Sequence, residues 1–207
     1  MKSIFSKIKR VIKDPWRMHL DLLGLWRLIF IKRVVKGIEV FYSYRGELYP
    51  EGINDGNRSP LIAEKAKEFC KGNGIDVGAG ERPFPGAIPV EDELKQNAYK
   101  LDNFPDGTLD YVFSSHCLEH LKRWDAALKL WIKKLKRGGI LFLYLPHESM
   151  RLWNPGSPWV GSAHKWIPTY GVLNEFLSKN GMEIINHDPD RDRYWSFYIV
   201  AKKNGLR

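Results

Sequence analysis

The chain has 207 residues, two cysteines and a formal net charge of +9 from 33 Lys/Arg and 24 Asp/Glu. That length accommodates one α/β domain plus an appendage, while two cysteines exclude a disulfide framework and suit a reducing compartment. The charge is uneven: residues 1–45 hold eleven Lys/Arg against three acids, a local +8, leaving +1 for the remainder. The basicity therefore bears on location or partners more than on chemistry.

Ile4, Phe5, Ile8, Val11 and Ile12 recur at helical spacing, with Lys7, Lys9, Arg10 and Lys13 around the other face, and Asp14-Pro15 stops the helix. A second apolar stretch, residues 20–41, is broken by Arg27, Lys32, Arg33 and Lys36 and is also read as helical, so residues 1–58 are expected to form a helical extension. No uninterrupted apolar run approaches the roughly 20 residues of a membrane span. No small-residue cleavage site follows a clean apolar core, so a signal peptide is not expected. Residues 2–13 fit a basic amphipathic helix on an anionic membrane surface, which places the protein in the cytoplasm, peripheral on the inner face of the membrane. The 20–41 stretch fits packing on the domain or on a second subunit of a homo-oligomer. Nucleic acid is disfavoured, because the basic residues belong to no known motif and are not interleaved with aromatics.

Ser59-Pro60 opens a helix that Gly72 ends. Gly74-Ile-Asp-Val-Gly-Ala-Gly80 reads as a buried strand entering a glycine turn, where missing side chains let backbone amides approach a ligand. Glu81-Arg-Pro-Phe-Pro-Gly86 follows, and its two prolines disfavour a helix. Only nine residues (78–86) separate Val77 from the apolar run Ala87–Val90, short for a parallel crossover, so at most one helical turn is expected there. A third strand is expected near Ala98–Leu101 and a fourth at Asp110–Ser115. Trp124–Lys136 reads as an amphipathic helix closed by Gly138-Gly139, and Ile140–Leu145 as a central strand buried on both faces. Thr169 caps a further helix with Leu173, Phe176 and Leu177 inward. Met182–Ile185 and Tyr194–Val200 complete the sheet.

Taken together, Gly74–Gly80, Phe104–Asp110, Leu109–His120 (ending Ser-Ser-His-Cys-Leu-Glu-His) and Lys136–Pro146 resemble, in order and spacing, the class I S-adenosylmethionine (SAM)-dependent methyltransferases over roughly residues 60–203. The resemblance implies a Rossmann-like α/β domain over residues 59–207, with a mostly parallel seven-stranded sheet, an antiparallel last strand and SAM as cofactor. It places Asp76, Gly78, Ala79 and Gly80 at the methionine end of SAM. Glu91 falls where an acid accepts both ribose hydroxyls, Asp102 and Asn103 at the adenine edge, and Ser115, His116 and His120 at the rim of the SAM and acceptor pockets. Turn-capping roles for Asp76 and Asp102 compete with these assignments. The stretch Gly78–Gly86 is similar to one in a compact branch of the family often associated with surface-polysaccharide loci.

His116-x-x-Glu119-His120 also matches the H-x-x-E-H pattern of inverted zinc peptidases, in which two histidines bind zinc and the glutamate acts as base. Such an enzyme needs a third ligand on a later helix, and residues 170–180 offer only Glu175. The motif is therefore assigned to the methyltransferase and no metal site is expected. A zinc hydrolase and a non-catalytic, membrane-associated SAM-binding subunit are the alternatives. Amino methylation of nucleic acid is disfavoured, since Ser114-Ser115-His116-Cys117 replaces the Asp/Asn-Pro-Pro-aromatic motif of those enzymes. The long connection Pro146–Pro168 carries Trp153, Trp159 and Trp166, suited to stacking on a sugar ring or to covering the sheet edge. His116, His147 and His164 are the candidate bases, imidazole titrating near neutral pH. The expected reaction is O-methylation of a saccharide or another small hydroxylated acceptor.

Overall fold

The computed structural model describes residues 24–50, 59–90 and 97–205. The amphipathic helix expected over residues 2–13 and Glu91, expected at the ribose, lie outside that range. The chain divides into two compact units, residues 1–54 with 151–163, and residues 55–150 with 164–207.

In the first unit, residues 24–30 are helical, and β1 (Lys32–Lys36), β2 (Glu39–Tyr44) and β3 (Glu47–Pro50) form an antiparallel sheet in that order. The helix expected through residue 41 is thus corrected to a hairpin from residue 32 onward. Val34, Val35, Ile38 and Val40 are β-branched and favour extended backbone. Gly37, at φ 63°, makes the tight two-residue turn between the paired Lys36 and Glu39. Tyr49 is fully buried, and its hydroxyl donates to Glu47 at 2.6 Å.

The second unit is built on a six-stranded sheet of order β5-β4-β6-β7-β9-β8. Its strands are β4 (Gly74–Val77), β5 (Ile88–Val90), β6 (Leu109–Ser115), β7 (Leu135–Pro146), β8 (Met182–Asp188) and β9 (Ser196–Lys203). β5, β4, β6 and β7 pair in parallel, and β9 runs antiparallel to both β7 and β8. This is the expected Rossmann-like arrangement with one strand fewer. The strand foreseen at 98–101 is an isolated bridge, Asn97 to Lys100, because Asn97 Oδ1 accepts from Tyr99 N–H at 2.9 Å and turns the chain.

Helices α1 (Ser59–Phe69), α2 (Trp124–Lys134) and α3 (Tyr170–Lys179) pack on this sheet. Alternation along the strands separates two cores. Ile75, Val77, Val112, Leu141 and Leu143 join Leu128, Trp131 and Leu173 on one face. Tyr111, Phe113, Phe142 and Tyr144 join Ile62 and Ala66 on the other. Thr169 caps α3 as expected, its side chain accepting from Val172 N–H at 3.3 Å. Helix α2 stops at Lys134, short of the glycine pair expected to close it, because Leu135 already pairs with Leu109 as the first residue of β7.

The crossover from β4 to β5 holds no helix. In its place Phe84 is buried at the end of an aromatic row. It stacks on Phe113 at 4.6 Å between ring centroids, Phe113 on Phe142 at 5.5 Å, and Phe142 on Tyr198 at 5.8 Å. One anchor residue thus does the packing that a crossover helix would otherwise supply.

Candidate functional site

β4 runs into Gly78, β5 ends at Val90 and β6 ends at Ser115, so three parallel strands finish at one sheet edge. The strand order reverses about β4, with β5 on one side and β6 on the other. Open α/β sheets hold ligands at such a point. Here a cavity of about 200 Å³ is lined by Gly78, Val90, Ala98, Tyr99, Cys117 and Leu121.

Gly78 lets this wall pack closely on Cys117. It adopts φ 80°, and a Cβ built on it would stand 2.5 Å from Cys117 Cβ and 2.6 Å from Cys117 Sγ. A side chain there would be strained and would also collide. The Gly78 N–H donates to Val90 O at 3.2 Å and closes the turn. Ala79 is buried beside it and Gly80 is again left-handed, at φ 53°. Ser115 is buried, and its Oγ has no hydrogen-bond partner among the described residues. Asp76 is fully buried, and its Oδ2 accepts from Phe84 N–H at 2.8 Å, so the acid secures the crossover loop from beneath. Asp102 and Asn103 are exposed, and Asp102 makes a 3.8 Å surface pair with Lys100.

The turn after β6 carries a polar cluster. His116 adopts φ 49°, uncommon for a side-chain-bearing residue, and its Nε2 lies 2.9 Å from Ser196 Oγ. Its Nδ1 stands 3.4 Å from Glu119 Oε1, close enough for an ion pair though not aligned as a hydrogen bond. Glu119 is fully buried. Burial pushes its carboxyl up, but His116, His120 and His164 outweigh that and hold it below the usual carboxylate range. The His120 and His164 rings meet edge to face at 4.6 Å. Two hydrogen bonds fasten the returning chain to this turn, Lys165 N–H to Glu119 O at 2.7 Å and Trp166 Nε1 to Leu118 O at 2.9 Å.

The remaining residues singled out from sequence disperse. His147 borders a second cavity, of about 420 Å³, with Glu148, Thr169, Tyr170 and Asp190. Its Nδ1 accepts from Ser149 N–H at 3.1 Å, so the neutral ring carries its proton on Nε2. Trp153 and Trp159 belong to the first unit and Trp166 to the second. Trp159 is held by Tyr42, at 4.9 Å between centroids, and by the Arg27 guanidinium, 4.7 Å from its ring. Trp166 stacks on Trp124 at 4.4 Å. Cys117, Tyr99 and Leu121 were missed as cavity walls. Only Cys117 carried a signal, its place directly after His116.

Residues 59–143 match the family described as "Methyltransferase domain". A methyltransferase domain thus lies over these residues. Its fold is shared with an S-adenosylmethionine-dependent methyltransferase of Listeria monocytogenes, at 16% identity and TM-score 0.52, covering 72% of this chain and 100% of that one. A SAM-dependent methyltransferase of Archaeoglobus fulgidus matches at 20% identity and TM-score 0.52, covering 72% and 95% of the two chains. The Haloferax volcanii complex of the Trm112 methyltransferase activator with a methyltransferase matches at 13% identity and TM-score 0.55, covering 76% and 93%. No curated protein sequence matches the chain. The cofactor of this methyltransferase domain is SAM, and the cavity suits it in kind. Gly78 offers bare backbone, and Val90, Ala98 and Leu121 offer apolar wall.

Proposed function

We propose that this methyltransferase binds SAM against Gly78 and transfers the methyl group to a hydroxyl of a saccharide or another small hydroxylated acceptor. The observation that carries the reading is the cavity wall at Gly78, whose bare backbone packs so closely on Cys117 that no Cβ fits there. The turn Gly78-Ala79-Gly80 lies against the methionine end, Glu91 takes the ribose diol and Asp102-Asn103 the adenine edge. Methyl transfer is an in-line displacement, so the protein's part is to align the acceptor oxygen, exclude water and take up a proton.

Of the three candidate bases, His116 is best placed. It adjoins Cys117 in the cavity wall, and Glu119 stands 3.4 Å from its Nδ1, where it stabilises the imidazolium formed on proton uptake. His147 has its Nδ1 engaged by Ser149 and presents Nε2–H, which cannot accept a proton. His164 and His120 line the acceptor side of the turn. Calorimetric titration with SAM and S-adenosylhomocysteine (SAH), followed by transfer of labelled methyl to sugar nucleotides and glycans, tests the reading. Methylation of amines or thiols with no hydroxylated acceptor accepted would refute it.

We also propose a peripheral position on an anionic membrane surface. The +8 of residues 1–45 supports it, as do Leu28, Ile29, Phe30 and Ile38 exposed beside Arg27, Lys32 and Lys36. No helix among the described residues is long and apolar enough to cross a membrane.

A further inference from the structure

Glu119 has more unmet polarity than its place beside His116 accounts for. Its side chain is fully buried, and among the described residues neither carboxylate oxygen has a hydrogen-bond partner. An ionised carboxylate in that state costs several kcal/mol, roughly, unless a positive charge lies against it. The nearest groups are imidazoles. One ligand atom from each of Glu119, His120 and His164 falls within 4.8 Å of the others. A proton on His116 faces Oε1 at 3.4 Å and leaves Oε2 unserved, while protons on His120 and His164 would place imidazolium charges side by side, their rings 4.6 Å apart. One cation shared by the three groups meets the same need while the imidazoles stay neutral and use their lone pairs.

We infer that Glu119, His120 and His164 form a binding site for a divalent transition-metal cation. Two imidazole nitrogens and one carboxylate oxygen suit zinc or a neighbouring first-row ion better than magnesium or calcium, which prefer all-oxygen shells. With bonds near 2.1 Å, ligand atoms on one ion stand about 3.4 to 4.2 Å apart, so the set closes by a small rotation. His120 is exposed and supplies both that freedom and the entry path, whereas Glu119 and His164 are buried and fixed. The fixing is visible in the backbone, where Lys165 N–H bonds Glu119 O at 2.7 Å and ties the residue after His164 to Glu119 itself. His116, 3.4 Å from Glu119 Oε1 and 2.9 Å from Ser196 Oγ, orients the carboxylate from behind. Three protein ligands leave further coordination positions open on the His120 side. The His164 ligand is 45 residues beyond Glu119 in the chain, on the loop before α3, which is why the motif alone did not reveal it.

The inference stands apart from the cofactor reading and is tested without SAM. Untagged full-length protein is stripped with chelator, dialysed, and titrated with Zn²⁺ by calorimetry and with Co²⁺ by visible absorption. One cation per chain is expected, with Co²⁺ bands of a low-symmetry nitrogen and oxygen shell. Because His120 is exposed, His120→Ala keeps the fold, checked by circular dichroism, and is expected to weaken binding by about tenfold or more, of the order seen when metal-site partners are removed. His164→Ala is expected to do the same. Absence of stoichiometric uptake by the wild-type chain overturns the site. So does equal uptake by wild type and His120→Ala, which would put the cation elsewhere.

Discussion

The buried carboxylate of Asp76 accepts a hydrogen bond from the backbone N–H of Phe84 at 2.8 Å, joining the end of β4 to the anchor of the crossover loop. The loop therefore reaches β5 without a helix, because its two ends are held from inside: a charge-assisted hydrogen bond on the backbone and an aromatic stack on the ring. Phe84→Ala removes a 2%-exposed side chain from the end of that stack and is expected to cost about 3 to 5 kcal/mol in urea unfolding. Asp76→Ala leaves the Phe84 N–H buried and unsatisfied, for about 1 to 3 kcal/mol. Near-wild-type stability of both variants would mean the loop is held by something else.

The two cysteines are expected to differ in reactivity. Burial raises the Cys70 thiol well above its usual range, whereas Cys117 is half-buried on the cavity wall beside Gly78. Alkylation of native protein, read by peptide mass spectrometry, should therefore mark Cys117 first and leave Cys70 until unfolding. Saturating SAH should slow the Cys117 reaction. Alkylation at an unchanged rate would place the cofactor away from this wall.

Acid should weaken the fold through Asp110 and Asp106. Lys136 and the Asn73 N–H, at 2.7 Å, hold the Asp110 carboxyl below the usual carboxylate range. Lys133 and Lys134, each at 2.8 Å, lower Asp106 to about 2. A depressed folded pKa gives stability that is present above the unfolded value of about 3.9 and is lost as pH falls through the folded one. Chemical unfolding between about pH 5 and pH 2 should show this decline. Asp110→Asn should lower stability at neutral pH and flatten part of the slope. The Lys133 pair is solvent-exposed whereas Lys134 is largely buried, so added salt should shrink the Lys133 share most. An unaltered acid profile in Asp110→Asn would remove this residue from the account.

Much of the sheet was legible because burial on both faces leaves continuous apolar runs, as at Ile140–Leu145, and because Gly78 and Gly80 punctuate β4. Legibility failed where local and distant terms compete. In residues 32–44 the basic residues interrupt the apolar ones at a spacing that mimics a helix, while β-branching and Gly37 decide for a hairpin. Near Ala98 an apolar run promised a strand, and the Asn97 side chain bent the chain into a turn instead. At the candidate site the glycines could be read, but Cys117 against Gly78 depends on the parallel pairing of β4 with β6. His164 beside Glu119 depends on a loop return with no local signature. The stacking role expected of Trp166 is likewise qualified by Trp124, on which it already lies.

Full-length protein is expected to sediment with anionic vesicles at low salt and to be released as salt rises. Each basic residue near such a surface contributes about 1 kcal/mol, fading within a Debye length. A chain lacking residues 1–14 should stay in the supernatant and still bind SAM. Equal partitioning of the two forms would assign the basic segment to packing or oligomer formation.

The central claim is that SAM lies against the bare backbone of Gly78. Calorimetric titration of the wild-type chain, Gly78→Val and Glu91→Ala with SAH tests it most directly, with thermal denaturation confirming that each variant is folded. One SAH per wild-type chain is expected, no measurable binding to Gly78→Val, and a loss of about 1 to 3 kcal/mol in Glu91→Ala from charged hydrogen bonds to the ribose. Binding by both folded variants at wild-type affinity, or a wild-type chain that takes up no SAH, would contradict the account.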